Sequence, residues 1–424
     1  VAGRVTIPAV TVEFAFSIGA GTTGYLYLDD TSRGKLGTGT LAPDNLWVDL
    51  SHPALSLDIS RGSQRFDGPT VRYEASRATY VLDNSDRSLD PTNLAGPYVA
   101  AGVTQVTPMR GVRSRATWAG VTYALFRGFV DDWQINWDDP WSDATVHCTD
   151  GVKVLANYNG VAVGAVGAGD DTGARIGRLL DNAGWPATDR ALDAGNTTVQ
   201  ATTLAANTWT ETLLTADTEA GEVYVDGSGR VVFRRRQASQ LDARSSTSQA
   251  TFGDGPGELI YESVKVAYDD TQVRNVVRIS RVGGTQQIAS DAASQAQYLN
   301  HSWERSDLIM QTDAEAANYA GYVLFQNKDA ELRFTELVIN PHADETNLFP
   351  QVLGRELGDR ITVKRRPPGG GAVISRDCFI RGIKHTLKDK RWKTTWTLQS
   401  AAKYSFFTLD NAILGVLDSN ALGF

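Results

Sequence analysis

At 424 residues the chain exceeds what one hydrophobic core ordinarily supports, so roughly two to four domains are expected. Apolar residues make up 42% and charged residues 21%, the balance of a soluble globular protein, and 40 Gly with 10 Trp favour short strands and tight turns. A net charge of −8, with no basic run longer than Arg234-Arg235-Arg236, argues against gripping nucleic acid through its phosphates.

Other classes fall to simple counts. No stretch approaches about 18 apolar residues, and Val1-Ala2-Gly3-Arg4 lacks both the basic and the apolar region of a signal peptide. Cys148 and Cys378 have no Cys-x-x-Cys spacing and read as two buried free thiols.

Residues 1–160 read as an N-terminal β region. Val10–Phe16, Gly24–Leu28 and Ala78–Leu82 alternate at period two, and Asp83-Asn84-Ser85-Asp86-Arg87-Ser88 is a dense turn signal. A Gly- and Ala-rich stretch, 160–173, reads as a linker into a small α+β insertion over 161–255. That insertion should hold a helix capped by Asp171 or Thr172 and stopped at Gly184-Trp185-Pro186, then a second starting at Thr208 with a Thr208/Glu211 capping box. A hairpin should follow through Asp226-Gly227-Ser228-Gly229. Residues 256–402 return to strands, interrupted by one helix capped by Thr312, and 403–424 form an apolar tail.

One pattern occurs twice, about 250 residues apart. The first copy contains Arg110, then Arg127-Gly128 closing an apolar strand, then Trp133 and a last strand ending at Cys148. The second contains Arg360, Arg381-Gly382, Trp392 and a last strand ending at Leu398. Each copy sets a basic strand, an apolar-Arg-Gly-apolar strand, a Trp segment and a closing strand in one order, as a β-module used twice would. Gly in the strand interior reads as a bulge or a close backbone approach. Two equivalent modules per chain let a trimer present six similar units in a ring.

Candidate chemistry is sparse. The segment Asp131–Asp143 combines carboxylates with Trp133, Trp137 and Trp141, a composition that could stack on a sugar or cleave a glycoside, although the second copy carries mixed charge there. Asp83, Asp86 and Asp90 could share a calcium ion, but their spacing is not that of an EF-hand and suits a plain turn. His147 and Cys148 point to opposite faces of a strand, and no His pair has zinc spacing. The Gly164–Gly173 run lacks the Gly-Lys-Ser/Thr of a phosphate loop.

Several runs in order resemble a known family. They are Tyr80–Asp86 through Leu89-Asp90-Pro91 and Gly96-Pro97-Tyr98, Pro108-Met109-Arg110, Leu125–Gly128, Leu179–Pro186, Tyr224–Phe233 and Leu357–Val363. Together they resemble the baseplate or tail-tip hub proteins of tailed bacteriophages, also called minor tail proteins. The resemblance implies a mainly β chain with an α+β insertion, whose two tube-type β-barrel modules give a homotrimeric ring pseudo-sixfold symmetry. It implies a non-enzymatic virion component at the distal end of the tail, without cofactors, that gates genome ejection. Implied partners are a hexameric distal tail protein, the C-terminal end of the tape measure protein and a central fibre or receptor-binding protein, with DNA passing through the lumen unbound. Some hubs continue into a peptidoglycan hydrolase, which a chain ending soon after its second module is expected to lack. Two competing readings remain: a carbohydrate-binding adhesin stacking sugars on Trp133, Trp137 and Trp141, and a polysaccharide hydrolase using carboxylates between Asp131 and Asp143.

Overall fold

The computed structural model describes residues 7–16, 47–51, 54–63, 69–100, 102–138, 142–159, 163–166, 168–204 and 206–402. Trp141, the strand expected at Gly24–Leu28 and the tail 403–424 lie outside them.

A 13-stranded sheet dominates the fold. Its strands alternate as the sequence demands: every second residue of Arg77–Asp83 and of Asp143–Asp150 is buried, which places Tyr80, Leu82, Val146 and Cys148 inside. The sheet contains one unit of six strands twice over. In the first unit the spatial order is Ala54–Gly62, Arg77–Asp83, Asp143–Asp150, Val121–Asn136, Gly111–Trp118 and Ala9–Ala15. In the second it is Ser263–Ala267, Arg333–Ile339, Arg391–Ser400, Ile374–Lys388, Arg360–Arg365 and Thr251–Phe252. All of these neighbours are antiparallel except the last pair of the second unit, which is parallel.

The two expected barrel modules are seen here as two units of one sheet, with no closed barrel among the described strands. Ala54–Gly62 pairs on its second edge with the outer half of Ile374–Lys388, from Gly62 opposite Gly382 to Ser56 opposite Lys388. That edge therefore joins one unit to the next, and the described strands form one continuous sheet and no closed barrel. A single hydrophobic core runs through both units, from Tyr80, Phe126 and Val146 to Leu337, Ile383 and Trp396.

Two smaller cores flank it. One gathers Ile176, Leu180, Trp209 and Phe233 of the insertion with Leu155, which precedes it. Its helix Thr172–Asn182 is capped by Asp171, whose carboxylate accepts from the Ala174 amide at 2.7 Å. The next helix, Thr208–Glu219, is capped by Asn207 and not by Thr208: the Asn207 side chain accepts from the Thr210 amide at 2.9 Å. Glu222–Val225 and Val231–Arg234 form the expected hairpin. The other core packs the helix Asp313–Asn327 on a three-stranded sheet, Val276–Arg281, Gln287–Ser290 and Ser302–Leu308. Thr312 and Glu315 close the capping box of that helix reciprocally.

This helix has company that the sequence pattern did not reveal. Ala292–Tyr298 is short and polar, and Glu345–Gly354 carries Pro350 inside it, which reads as a break. Burial of Leu348, Phe349 and Val352 against the main core holds the latter helix in spite of its proline.

Candidate functional site

The two units superimpose at the level of ladder register. In the first, Phe129 faces Thr149, Val130 faces Cys148, and Asp132 faces His147, leaving Asp131 as the bulged residue. In the second, Phe379 faces Gln399, Ile380 faces Leu398, and Gly382 faces Thr397, leaving Arg381 bulged. Flanking bonds agree: the Met109 amide donates to Val130 O at 2.8 Å as the Gly358 amide donates to Ile380 O at 2.7 Å, with positive φ at both Met109 and Gly358. Thus Asp131 corresponds to Arg381, Asp132 to Gly382 and Trp133 to Ile383. Arg127 takes the place of Asp377, so the two Arg-Gly dipeptides are not at equivalent positions in the ladders.

The bulge is where the long middle strand changes partners. Before it, Ile374–Phe379 pairs with Arg360–Arg365; beyond it, Gly382–Lys388 pairs with the first unit. The crossing is tight. A Cβ on Gly62 would meet Arg381 O at 2.3 Å, and one on Gly382 would meet Ser63 O at the same distance, so neither position accepts a side chain without backbone movement. The Ser63 amide donates to Arg381 O at 2.9 Å across it.

A buried polar cluster underpins this crossing. Arg381 is fully buried; its guanidinium donates to Glu222 at 2.8 Å, to the Tyr73 hydroxyl at 3.0 Å and to Gln399 at 2.8 Å. Tyr73 donates to Glu222 at 3.1 Å. Burial opposes the charge of neighbouring Arg234, but Glu222 together with Tyr224 and Tyr73 outweighs it and holds the guanidinium ionised; burial also pushes the Tyr73 phenol up. Close by, Arg61 is buried and paired with Glu356 at 2.7 Å. Tyr73, Glu222 and Arg381 come from the first unit, the insertion and the second unit, so no local sequence signal linked them. Among the described residues these ions are paired with one another, as befits a structural lock.

The remaining residues of the repeated pattern are dispersed. Arg110 donates to Gln105 O at 3.0 Å and to its side chain at 2.8 Å. Arg127 reaches Asp189 of the insertion at 3.1 Å, beside a cleft of about 240 Å³ that Trp185 and Met109 also line. A Cβ on Gly128 would meet Thr149 O at 2.4 Å. Arg360 pairs with Asp377 at 2.6 Å. Trp392 is buried and its amide donates to His342 Nε2 at 2.9 Å.

The acidic aromatic segment forms neither a sugar platform nor a carboxylate pair among the described residues. Trp133 is half-buried, stacks on Phe16 and donates to Thr107 O at 3.0 Å, whereas Trp137 is 63% exposed. Asp131 is paired with Lys153 at 2.5 Å and accepts from Thr149 at 2.6 Å. Asp83, Asp86 and Asp90 act as turn acceptors for Ser85, Ser88 and Thr92. Burial raises Asp90, but bonds from Thr92 and Arg87 outweigh it and hold the carboxyl below its usual range. Among the described residues no group of three or more metal-ligating side chains gathers, and no helix is long and apolar enough to cross a membrane.

Comparison with known proteins gives the fold its relatives. No family model and no curated protein matches the sequence. Among solved structures, the chain is similar to the tail protein from Neisseria meningitidis MC58, with a TM-score of 0.57 at 12% identity, covering 93% of this chain and 96% of that one. It is also similar to the prophage MuSo2 43 kDa tail protein from Shewanella oneidensis, with a TM-score of 0.52 at 11% identity, covering 92% and 96%. The chain therefore has the fold of these tail proteins along nearly its whole length.

Proposed function

We propose that the protein is a structural hub of a phage tail tip or baseplate, and that three copies form a ring in which six equivalent β-units continue or close the tail tube. The observation that carries this reading is the repetition of a six-strand unit, bulge for bulge, within one continuous sheet. A threefold assembly of a twofold-repeated chain presents six similar units to a sixfold tube. The likeness to two tail proteins supports the same role.

In this reading the ring lies at the distal end of the virion tail. It joins a hexameric distal tail protein and the C-terminal end of the tape measure protein to a central fibre or receptor-binding protein, and it gates genome ejection. With −8 charges per chain, three copies would repel a passing polyanion, so DNA crosses the lumen without specific binding. We divide the chain, as part of this proposal, into 1–160 with the first unit, 161–255 as the insertion, 256–402 with the second unit and 403–424 as a tail. The function is assembly and gating, without catalysis or cofactor.

The test is mass and symmetry together. Light scattering of the purified chain, alone and with its tail partners, should give three times 45.9 kDa. Cryo-electron microscopy of the particle should then superpose residues 111–150 on 360–400 by a rotation near 60°, the sixfold step required of three two-unit chains. A chain that stays monomeric beside its tail partners would sink the proposal.

A further inference from the structure

The internal junction supplies a template for a junction between chains. Every strand of the first unit has its counterpart in the second, yet only one of two equivalent edges is covered. The outer half of Ile374–Lys388 is covered by Ala54–Gly62. Its counterpart is the outer half of Val121–Asn136, running on through Asp138. The counterpart of Ala54–Gly62 is Ser263–Ala267, since Leu57 faces Tyr80 as Val264 faces Leu337. Among the described residues neither of these two edges carries a strand, and they stand at well-separated places in the sheet order.

We infer that Ser263–Ala267 of one copy adds as an antiparallel strand to Gln134–Asp138 of a second copy, head to tail. Carrying the internal register across sets Trp137 opposite Val264, Asn136 opposite Lys265 and Ile135 opposite Val266. The internal counterparts of these pairs are Leu387 opposite Leu57, Thr386 opposite Asp58 and His385 opposite Ile59. The inference rests on the ring reading above and names the surface that builds the ring.

Exposure follows the same logic. Leu57 and Ile59 are 2% and 0% exposed where the junction is filled, while Val266 is 49% exposed and Trp137 63%. Strand addition is the interaction that an uncovered edge with exposed apolar side chains supports. Polarity is complementary too: Asp58, held internally by Lys384 at 3.2 Å and by Thr386 at 2.9 Å, is replaced by Lys265, and the strand it would meet ends in Asp138. The ladder stops short of the glycine crossing. Gly382 has Asp132, a residue with a side chain, as its counterpart, so the junction between chains is shorter than the internal one.

Cysteine pairs test the register. Trp137 and Val264 of one chain lie seven strand spacings apart, roughly 33 Å, so a disulfide between them can form only between chains. In the Trp137→Cys/Val264→Cys variant, mild oxidation should convert the protein to a reducible covalent trimer, whereas Trp137→Cys/Tyr268→Cys, four residues out of register, should not. Val266→Glu, on an exposed side chain facing an acidic strand, should weaken association at least tenfold and Val266→Lys less. A trimer that forms normally, resists Val266→Glu and never cross-links through Trp137→Cys/Val264→Cys would overturn this interface while leaving the ring in place. A parent chain that remains monomeric would overturn both.

Discussion

The two three-strand meanders, residues 111–150 and 360–400, have one backbone plan and opposite situations. At the bulge the first places Asp131, paired near the surface with Lys153, and the second places Arg381, fully buried against Glu222 and Tyr73. One position later the first has Asp132 and the second Gly382, because only in the second does another strand cross within contact distance. Backbone pairing alone thus sets the shared architecture. Side chains then record which copy of an edge is covered inside the chain and which is left for another molecule.

The largest effect should come from the bulge residue. Arg381→Ala leaves Glu222 and Tyr73 short of a buried partner and should cost about 3–5 kcal/mol, whereas Asp131→Ala, removing a partly exposed pair, should cost less than about 1 kcal/mol. The urea midpoint at constant slope measures both. Equal losses would break the contrast between the two meanders.

Acid should tilt the two copies in opposite directions. Burial, aided by the Arg61 charge, lowers His385 to about 3, below its unfolded value of 6.5. Its neutral form stabilises the fold above that value, and this contribution is lost as pH falls toward 3. Burial raises Asp150 to about 6 from 3.8, against hydrogen bonds from Ser76 and Val152. Its contribution is full below 3.8 and is lost as pH rises through 6. Between pH 6.5 and 4 the two amount to roughly 3 kcal/mol for His385 and roughly 2 kcal/mol for Asp150, with opposite sign. His385→Gln should therefore gain stability relative to the parent on acidification, and Asp150→Asn should lose it, in chemical unfolding at the two pH values.

Crossing geometry should matter less but remain measurable. Gly382→Ala forces a Cβ against Ser63 O and should cost roughly 1–3 kcal/mol, while Asp132→Ala at the matching place should stay within about 0.5 kcal/mol. Smallest of all, Trp137→Ala should change the unfolding midpoint of the chain by less than about 0.5 kcal/mol, because the ring is exposed. Its effect should be confined to association, read by light scattering, which sharpens the distinction between the covered and the open edge.

Much of this was legible without coordinates. Strand-like residues 78–82 and the repeated pattern's closing strand 144–148 fall within Arg77–Asp83 and Asp143–Asp150, the Asp226–Gly229 turn gave the hairpin, and Asp171 or Thr172, and Thr312, marked two helix starts. The repeat was visible as a repeated order of strands, but its equivalence was placed on Arg-Gly dipeptides, whereas the ladders match Arg381 with Asp131. Sequence similarity aligns letters; register is set by the hydrogen bonds of three strands at once, and a bulge shifts it by a residue without leaving a mark in composition.

By itself, then, the sequence determined that the protein is mainly β, that it carries an α+β insertion, and that one strand plan recurs, because period, turn chemistry and caps act over a few residues. Only the tertiary structure decided that both units share one sheet, that Tyr73, Glu222 and Arg381 meet, and that Trp137 and Val266 face outward while Leu57 and Ile59 are sealed. These outcomes depend on which edges pair over long sequence distances, and such pairing is chosen by the burial of whole faces and not by any local run of residues.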